Sequence, residues 1–126
     1  RVQIFDQEGK YINQWINLSR AACIYVDKRG KEDIFYVGEY FSGIASNDTG
    51  TDLGPRISIF NKSGKLLSRL GKESYGPSVG RFYSPHGICV DSEGNIYVAE
   101  VSYSDYGQFL NPKRELRSMQ KLVKTN

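Results

Sequence analysis

The chain has 126 residues, of which 39% are hydrophobic and 25% are charged, so one packed domain is expected rather than a disordered chain. No apolar run approaches the roughly 18–20 residues that cross a bilayer, so we expect no membrane-spanning helix. The formal charge of +3 is too small to indicate nucleic-acid binding. Two cysteines do not make a disulfide framework, whereas 13 glycines and nine tyrosines are typical of short strands joined by tight turns.

The first predicted strand begins at the start of the chain, and its pattern occurs twice. Apolar and polar residues alternate up to a Gly-Lys turn, and a second alternating segment follows, which predicts a hairpin of half-buried strands. The copies are residues 1–10 with 11–15, and residues 56–65 with 66–70. Because the chain opens on this strand, without an initiator Met or a signal-peptide pattern, we expect a fragment or a processed product.

A second strand pair also occurs twice, at residues 24–39 and 88–100. Its first strand ends in an Asp, a turn containing Gly follows, and the second strand ends in a Glu. We expect Asp27 and Asp91 to cap these turns through side-chain hydrogen bonds. The second strands are predicted at residues 34–40 and 95–101.

Together the two pairs predict antiparallel units of four strands, which we call a to d in chain order. Residues 1–15 form half of one unit, residues 22–71 a whole unit and residues 85–124 most of a third. The last segment, residues 113–124, fits a helical face as well as a strand, and the repetition favours the strand. Such units predict an all-β fold of propeller blades. The rival fold is a small β-sandwich, which would not need a repeating sequence.

The pattern is densest over residues 71–91 and 93–100, which resemble the NHL repeat. The shared features are a Gly-rich connection, a Phe, Pro-x-Gly, a strand ending in Asp, and Gly-Asn-hydrophobic-Tyr-Val-Ala. The resemblance implies about two to two and a half blades from the C-terminal part of a six-bladed propeller. Propellers of this kind occur in peptidyl-hydroxyglycine amidating lyases and in the gluconolactonase group.

The resemblance also implies a function and partners. It implies a secreted or periplasmic metal-dependent lyase or hydrolase that acts on a small-molecule or peptide substrate. In such an enzyme a metal in the channel polarises a substrate oxygen and a base in the channel removes a proton. The alternative is a non-catalytic propeller scaffold that binds a protein or glycan partner. The ring would be completed by the remaining blades of the same protein or by further copies of this chain, three of which would give six blades.

The resemblance to the amidating lyases singles out one candidate metal ligand and two candidate catalytic residues. His86 lies in the Pro-His motif that coordinates a channel zinc, and the alternative is a solvated loop histidine. Tyr40 and Tyr103 are weaker matches to the catalytic base, because each is displaced by about one position, and the alternative is aromatic packing. Zinc needs about three protein ligands, so other blades or copies would have to complete the site. Calcium is the second cofactor that the sequence allows.

Two further groups of polar residues have open interpretations. Glu39 and Glu100 end corresponding strands, either as acid–base or cation-binding carboxylates or in a structural role repeated in each unit. Residues 42–55 are predicted to form a long loop inserted between strands b and c. Its oxygen-bearing side chains could bind a cation but lack EF-hand spacing; these are Asn47, Asp48 and Asp52.

The cysteines are predicted to be free thiols. The strand alignment places Cys23 and Cys89 on the same face of successive blades, so one points into the shared interface and the other away from it. Their Cα atoms then lie too far apart for a disulfide. We expect both to behave as small buried hydrophobic residues.

Overall fold

The computed structural model describes residues 1–40, 54–71 and 76–125. In these ranges the chain is all-β and forms antiparallel sheets of two, four and three strands, which follow one another as propeller blades. We call them the half blade (β1–β2), blade 1 (β3–β6) and blade 2 (β7–β9). The strands are β1 (Val2–Phe5), β2 (Tyr11–Trp15), β3 (Arg20–Asp27), β4 (Ile34–Tyr40), β5 (Arg56–Asn61), β6 (Leu66–Leu70), β7 (Pro85–Val90), β8 (Ile96–Glu100) and β9 (Met119–Leu122).

The predicted second strands are confirmed. β4 covers the predicted range, and β8 is one residue shorter than predicted at each end. The ambiguous segment contains β9, which pairs with β8 and confirms the strand over the helix. The one α-helix of the described ranges, α1 (Ser102–Asp105), and a 3₁₀ turn (Gly107–Phe109) follow β8. No helix in this part of the chain is long and apolar enough to cross a membrane.

The half blade packs face to face on blade 1. Trp15 stacks on Phe60, with ring centroids 5.1 Å apart, and meets Phe35 edge-on at 5.2 Å. Leu18 and Val37 are buried in the same cluster. Since large aromatic side chains contribute most of the energy of such an interface, Trp15 anchors the half blade.

Blade 1 packs on blade 2 through its opposite face. Ile57 and Ile59 of β5 contact the cluster that contains Phe82 and Val98, whereas their neighbour Phe60 enters the cluster of the half blade. This division follows from the alternation of side chains along a strand. Blade 1 is therefore covered on both faces, as an internal blade of a propeller ring is.

The turns after the first strands are capped as predicted. Oδ1 of Asp91 accepts the backbone N–H groups of Glu93 and Asn95, at 3.0 and 2.9 Å. Asp27 accepts the N–H of Arg29 at 3.0 Å and is ion-paired with its guanidinium at 2.7 Å. Side-chain hydrogen bonds, from Arg29 to Asp27 and from Asn95 to Asp91, lower the pKa of each carboxyl to about 2.

Both cysteines are free thiols, but only one is sheltered. Cys23 is half-buried against Gly38 at the interface with blade 2, and burial raises the pKa of its thiol. Cys89 lies with Tyr97 and Met119 on the face of blade 2 that points away from blade 1. The prediction that Cys89 is buried is wrong, because none of the described residues covers that face.

Candidate functional site

The site lies where the first strand of a blade begins and the second strand ends. Arg20 starts β3 and pairs with Tyr40, the last residue of β4. His86 lies near the start of β7, which runs beside β3 in the next blade. Because the first strands of the blades line the central channel of a closed propeller, we expect these residues at the mouth of that channel.

Side chains of both blades meet here. The rings of Tyr40 and His86 have centroids 5.8 Å apart, and the Arg20 guanidinium carbon lies 5.2 Å from the centroid of the Tyr40 ring. His86 is exposed, whereas Arg20 and Tyr40 are half-buried. We call these three residues the interblade cluster.

Gly38 allows the two blades to approach closely at this point. A Cβ atom at Gly38 would lie 2.5 Å from the Cys23 Sγ atom and 3.3 Å from the Cβ atom of Pro85. The first contact lies within blade 1, where Cys23 pairs with Gly38, and the second is a tight contact between the two blades. Pro85 thus packs closely on Gly38, and His86, the residue after Pro85, meets Tyr40.

The phenol of Tyr40 is held in its protonated form. Burial raises its pKa, and the negative charge of Asp105 raises it further, while Arg20 and a hydrogen bond with Ser84 oppose the shift. The hydroxyl of Ser84 in turn donates a hydrogen bond to Asp105 at 2.5 Å. Near neutral pH, Tyr40 is therefore an O–H donor rather than a phenolate.

Glu39 is fully buried and has a structural role. Its carboxylate accepts the backbone N–H of Ser19 at 2.6 Å and is ion-paired with Arg56 at 3.1 Å. The hydroxyl of Ser58 donates a further hydrogen bond to it. These bonds hold the segment between β2 and β3 against the end of β4.

Glu100 does the same in blade 2. It accepts the N–H groups of Tyr83 and Ser84, at 2.5 and 3.2 Å, and the side-chain amide of Gln120 at 3.1 Å. Ser19 and Tyr83 occupy corresponding positions before their first strands, so the contact is repeated. The geometry supports the structural alternative for both glutamates.

The other predicted site residues are not brought to the cluster. Tyr103 lies in α1, where its ring packs over Gly107: a Cβ atom at Gly107 would lie 3.0 Å from the ring. Of the predicted loop, only residues 54–55 belong to the described ranges. The three oxygen-bearing residues singled out there lie outside the described residues; these are Asn47, Asp48 and Asp52.

The described residues do not form a metal site of their own. No three His, Cys, Asp or Glu side chains among them converge in a way that could hold an ion. His86 could supply one nitrogen, but its neighbours in the cluster are a phenol and a cation, Tyr40 and Arg20. A zinc or calcium ion does not fit this part of the chain without ligands from elsewhere.

Sequence reasoning missed Arg20 for a specific reason. The hairpin of β3 and β4 pairs Ile24 with Val37, and regular antiparallel pairing carried outward from there places Ala21 opposite Tyr40. A bulge between Ala21 and Cys23 shifts the register by one residue, so that Arg20 faces Tyr40 instead. The only sequence signal was an Arg at the entrance to the strand.

Residues 82–104 match the NHL repeat. The matched range contains β7, β8 and part of α1, and with them His86 and Glu100. No curated protein and no solved structure matches the chain. The chain therefore contains an NHL repeat within a fold of propeller blades.

Proposed function

We propose that this chain supplies part of an NHL-repeat propeller that binds a ligand at the interblade cluster. The observation that carries the proposal is the contact between Tyr40 and His86, which come from different blades, beside the cation of Arg20. A phenol, an imidazole and a guanidinium together offer stacking surfaces and several hydrogen-bond donors. Convergent polar groups where two structural units meet are typical of ligand sites.

The state of the carboxylates and of Tyr40 favours binding over catalysis. A general base must be deprotonated near the working pH, whereas the pKa of Tyr40 is raised by burial. Glu39 and Glu100 are occupied by backbone N–H groups. The non-catalytic alternative therefore needs no change in the protonation of Tyr40 or in the hydrogen bonds of the glutamates, whereas a lyase or hydrolase that used them would.

A metal-dependent lyase or hydrolase is the second candidate. It is favoured by the exposure of His86 in a Pro-His motif with the hydroxyl-bearing ring of Tyr40 beside it. A zinc ion bound by His86 and by residues of other blades would polarise a substrate oxygen. Tyr40 would then orient the substrate through its O–H group, and it could act as a base only if the ligand or metal lowered its pKa.

We propose the remaining blades of the same protein as partners, rather than further copies of this chain. If a second copy were to complete blade 2, its β1 would have to take the place beside β8. That edge of β8 is already paired with β9 over four residues, from Ile96 with Leu122 to Ala99 with Met119. The trimer of identical chains would therefore duplicate one strand of each shared blade.

The experiment is a ligand-detected NMR screen of the complete propeller against a library of anionic, cationic and neutral small molecules. We expect some ligands to lose binding in Y40A/H86A and to keep it in the control Y103A, whose ring lies outside the cluster. Identical binding in all three proteins would contradict the proposed site. Zinc content, measured after loading and dialysis, tests the second candidate: loss of one zinc per chain in H86A alone would favour it.

A further inference from the structure

We infer that the ligand of the interblade cluster carries a carboxylate or a similar anionic group, and that Arg20 binds it. This inference rests on the proposed function and names the chemical class of its ligand. It follows from which carboxylates and guanidinium groups at this end of blades 1 and 2 have partners within the protein.

The carboxylates near the cluster all have partners within the protein. Glu39 is bound by Arg56, and Glu100 by backbone N–H groups and Gln120. Asp105 accepts the hydroxyl of Ser84. Among the described residues, none of these carboxylates is ion-paired with Arg20, and the negative charge that acts on the cluster is that of Asp105, through the phenol of Tyr40.

The other arginines at this end are engaged differently. Arg56 and Arg69 both donate from Nη2 to the carbonyl oxygen of Asn17, at 2.9 and 2.8 Å. Arg117 donates to the carbonyl oxygens of Pro77 and Arg81, at 2.6 and 2.9 Å. Each of these guanidinium groups holds a connection between blades in place.

Arg20 differs because its guanidinium lies over a ring instead of against a carbonyl or carboxylate. Stacking uses the face of the guanidinium and leaves the N–H groups at its edge able to donate. A carboxylate accepts two such N–H groups side by side, which is the strongest common pairing for arginine. The imidazole of His86 is exposed and its ring lies 5.8 Å from that of Tyr40, so both side chains can add donors to the same anion.

The corresponding place in blade 2 provides an internal comparison. Ser84 stands there in place of Arg20, and its hydroxyl is bonded to Asp105. Blade 2 therefore has no cation at this position, and of the two described blades only blade 1 carries the arginine of the anion site.

The experiment is calorimetric titration of the complete propeller with benzoate, with its neutral analogue benzamide and with inorganic phosphate. We expect benzoate to bind at least tenfold more tightly than benzamide, since a hydrogen-bonded charge pair contributes about tenfold to hundredfold in affinity. Phosphate binding as tightly as benzoate would widen the ligand class to anions in general. Equal affinity for benzoate and benzamide would overturn the inference.

Variants assign the effect to Arg20. R20Q is expected to weaken benzoate binding at least tenfold, R20K by only about threefold because it keeps the charge, and the exposed control K113Q not at all. Thermal melting of each variant checks that it is folded, and if R20Q fails to fold, R20M takes its place as a second uncharged variant. Unchanged benzoate affinity in the folded uncharged variant overturns the inference. If neutral ligands still depend on Tyr40 and His86 in that case, the proposed function stands; if no ligand depends on them, it fails as well.

Discussion

Blades 1 and 2 are built on the same repeat but differ where the first strand begins and the second strand ends. The buried glutamates are alike: Glu39 and Glu100 end the second strand and bind the connection into the first strand. The residues that face the junction are not alike, because Arg20 and Tyr40 in blade 1 correspond to Ser84 and Val101 in blade 2. The comparison separates positions with the same structural role in both blades from positions whose side chains differ and can bind a ligand in one blade.

Removal of the glutamates should have the largest effect on stability. E39A should lower the free energy of unfolding of the complete propeller by about 3 kcal/mol, because it leaves the Arg56 cation, whose side chain is only 13% exposed, without its carboxylate. E100A should cost about 1–3 kcal/mol, since only neutral hydrogen-bond donors lose their acceptor. Urea unfolding measures both values.

R20Q is the matched control in the same assay. It removes only a cation–π contact, so the expected loss is under about 1 kcal/mol. If E39A proved no more destabilising than R20Q, the division between structural positions and ligand-binding positions would be wrong.

Gly38 tests how closely the blades must approach. G38A should destabilise the complete propeller by about 1–3 kcal/mol, because the added Cβ atom would lie 2.5 Å from Cys23 Sγ within blade 1 and 3.3 Å from the Cβ atom of Pro85 in blade 2. The same variant should weaken ligand binding at the cluster, since it moves Pro85 and with it His86. G87A is the control, as its Cβ atom would meet Ala99 at an ordinary 3.4 Å. A G38A protein as stable as G87A would show that the approach of β4 to β7 is not constrained by this glycine.

The turns at the opposite end should respond to acid. In the folded chain the pKa values of Asp27 and Asp91 are about 2, below the ordinary value of 3.8. Their contribution to stability is therefore present above pH 3.8 and is lost as the pH falls towards 2. In D27N/D91N, whose amides do not titrate, the free energy of unfolding should change less between pH 4 and pH 2. An equal slope in both proteins would mean that other groups govern the acid response.

The sequence predicted the strands better than the site. Alternation and Gly turns located β4 within its exact bounds and β8 within one residue, because both signals are local. His86 and Tyr40 were singled out, but their contact depends on the packing of two blades, which local patterns do not contain. Arg20 was missed because a single bulge in β3 changes which residue faces Tyr40.

One face of blade 2 is not covered by any described residue. Met119 is 61% exposed there, beside Cys89, whereas the equivalent face of blade 1 is packed against blade 2. If another blade covers this face in the complete propeller, Cys89 should react with a thiol reagent about as slowly as Cys23. Cys23 is slowed by burial and also by its raised pKa, which lowers the fraction of reactive thiolate. Both thiols should titrate once the protein is unfolded in the absence of reductant, as neither is in a disulfide. Rapid labelling of Cys89 in the folded complete protein, located by peptide mass spectrometry, would show that this face stays open and that the ring does not continue from blade 2.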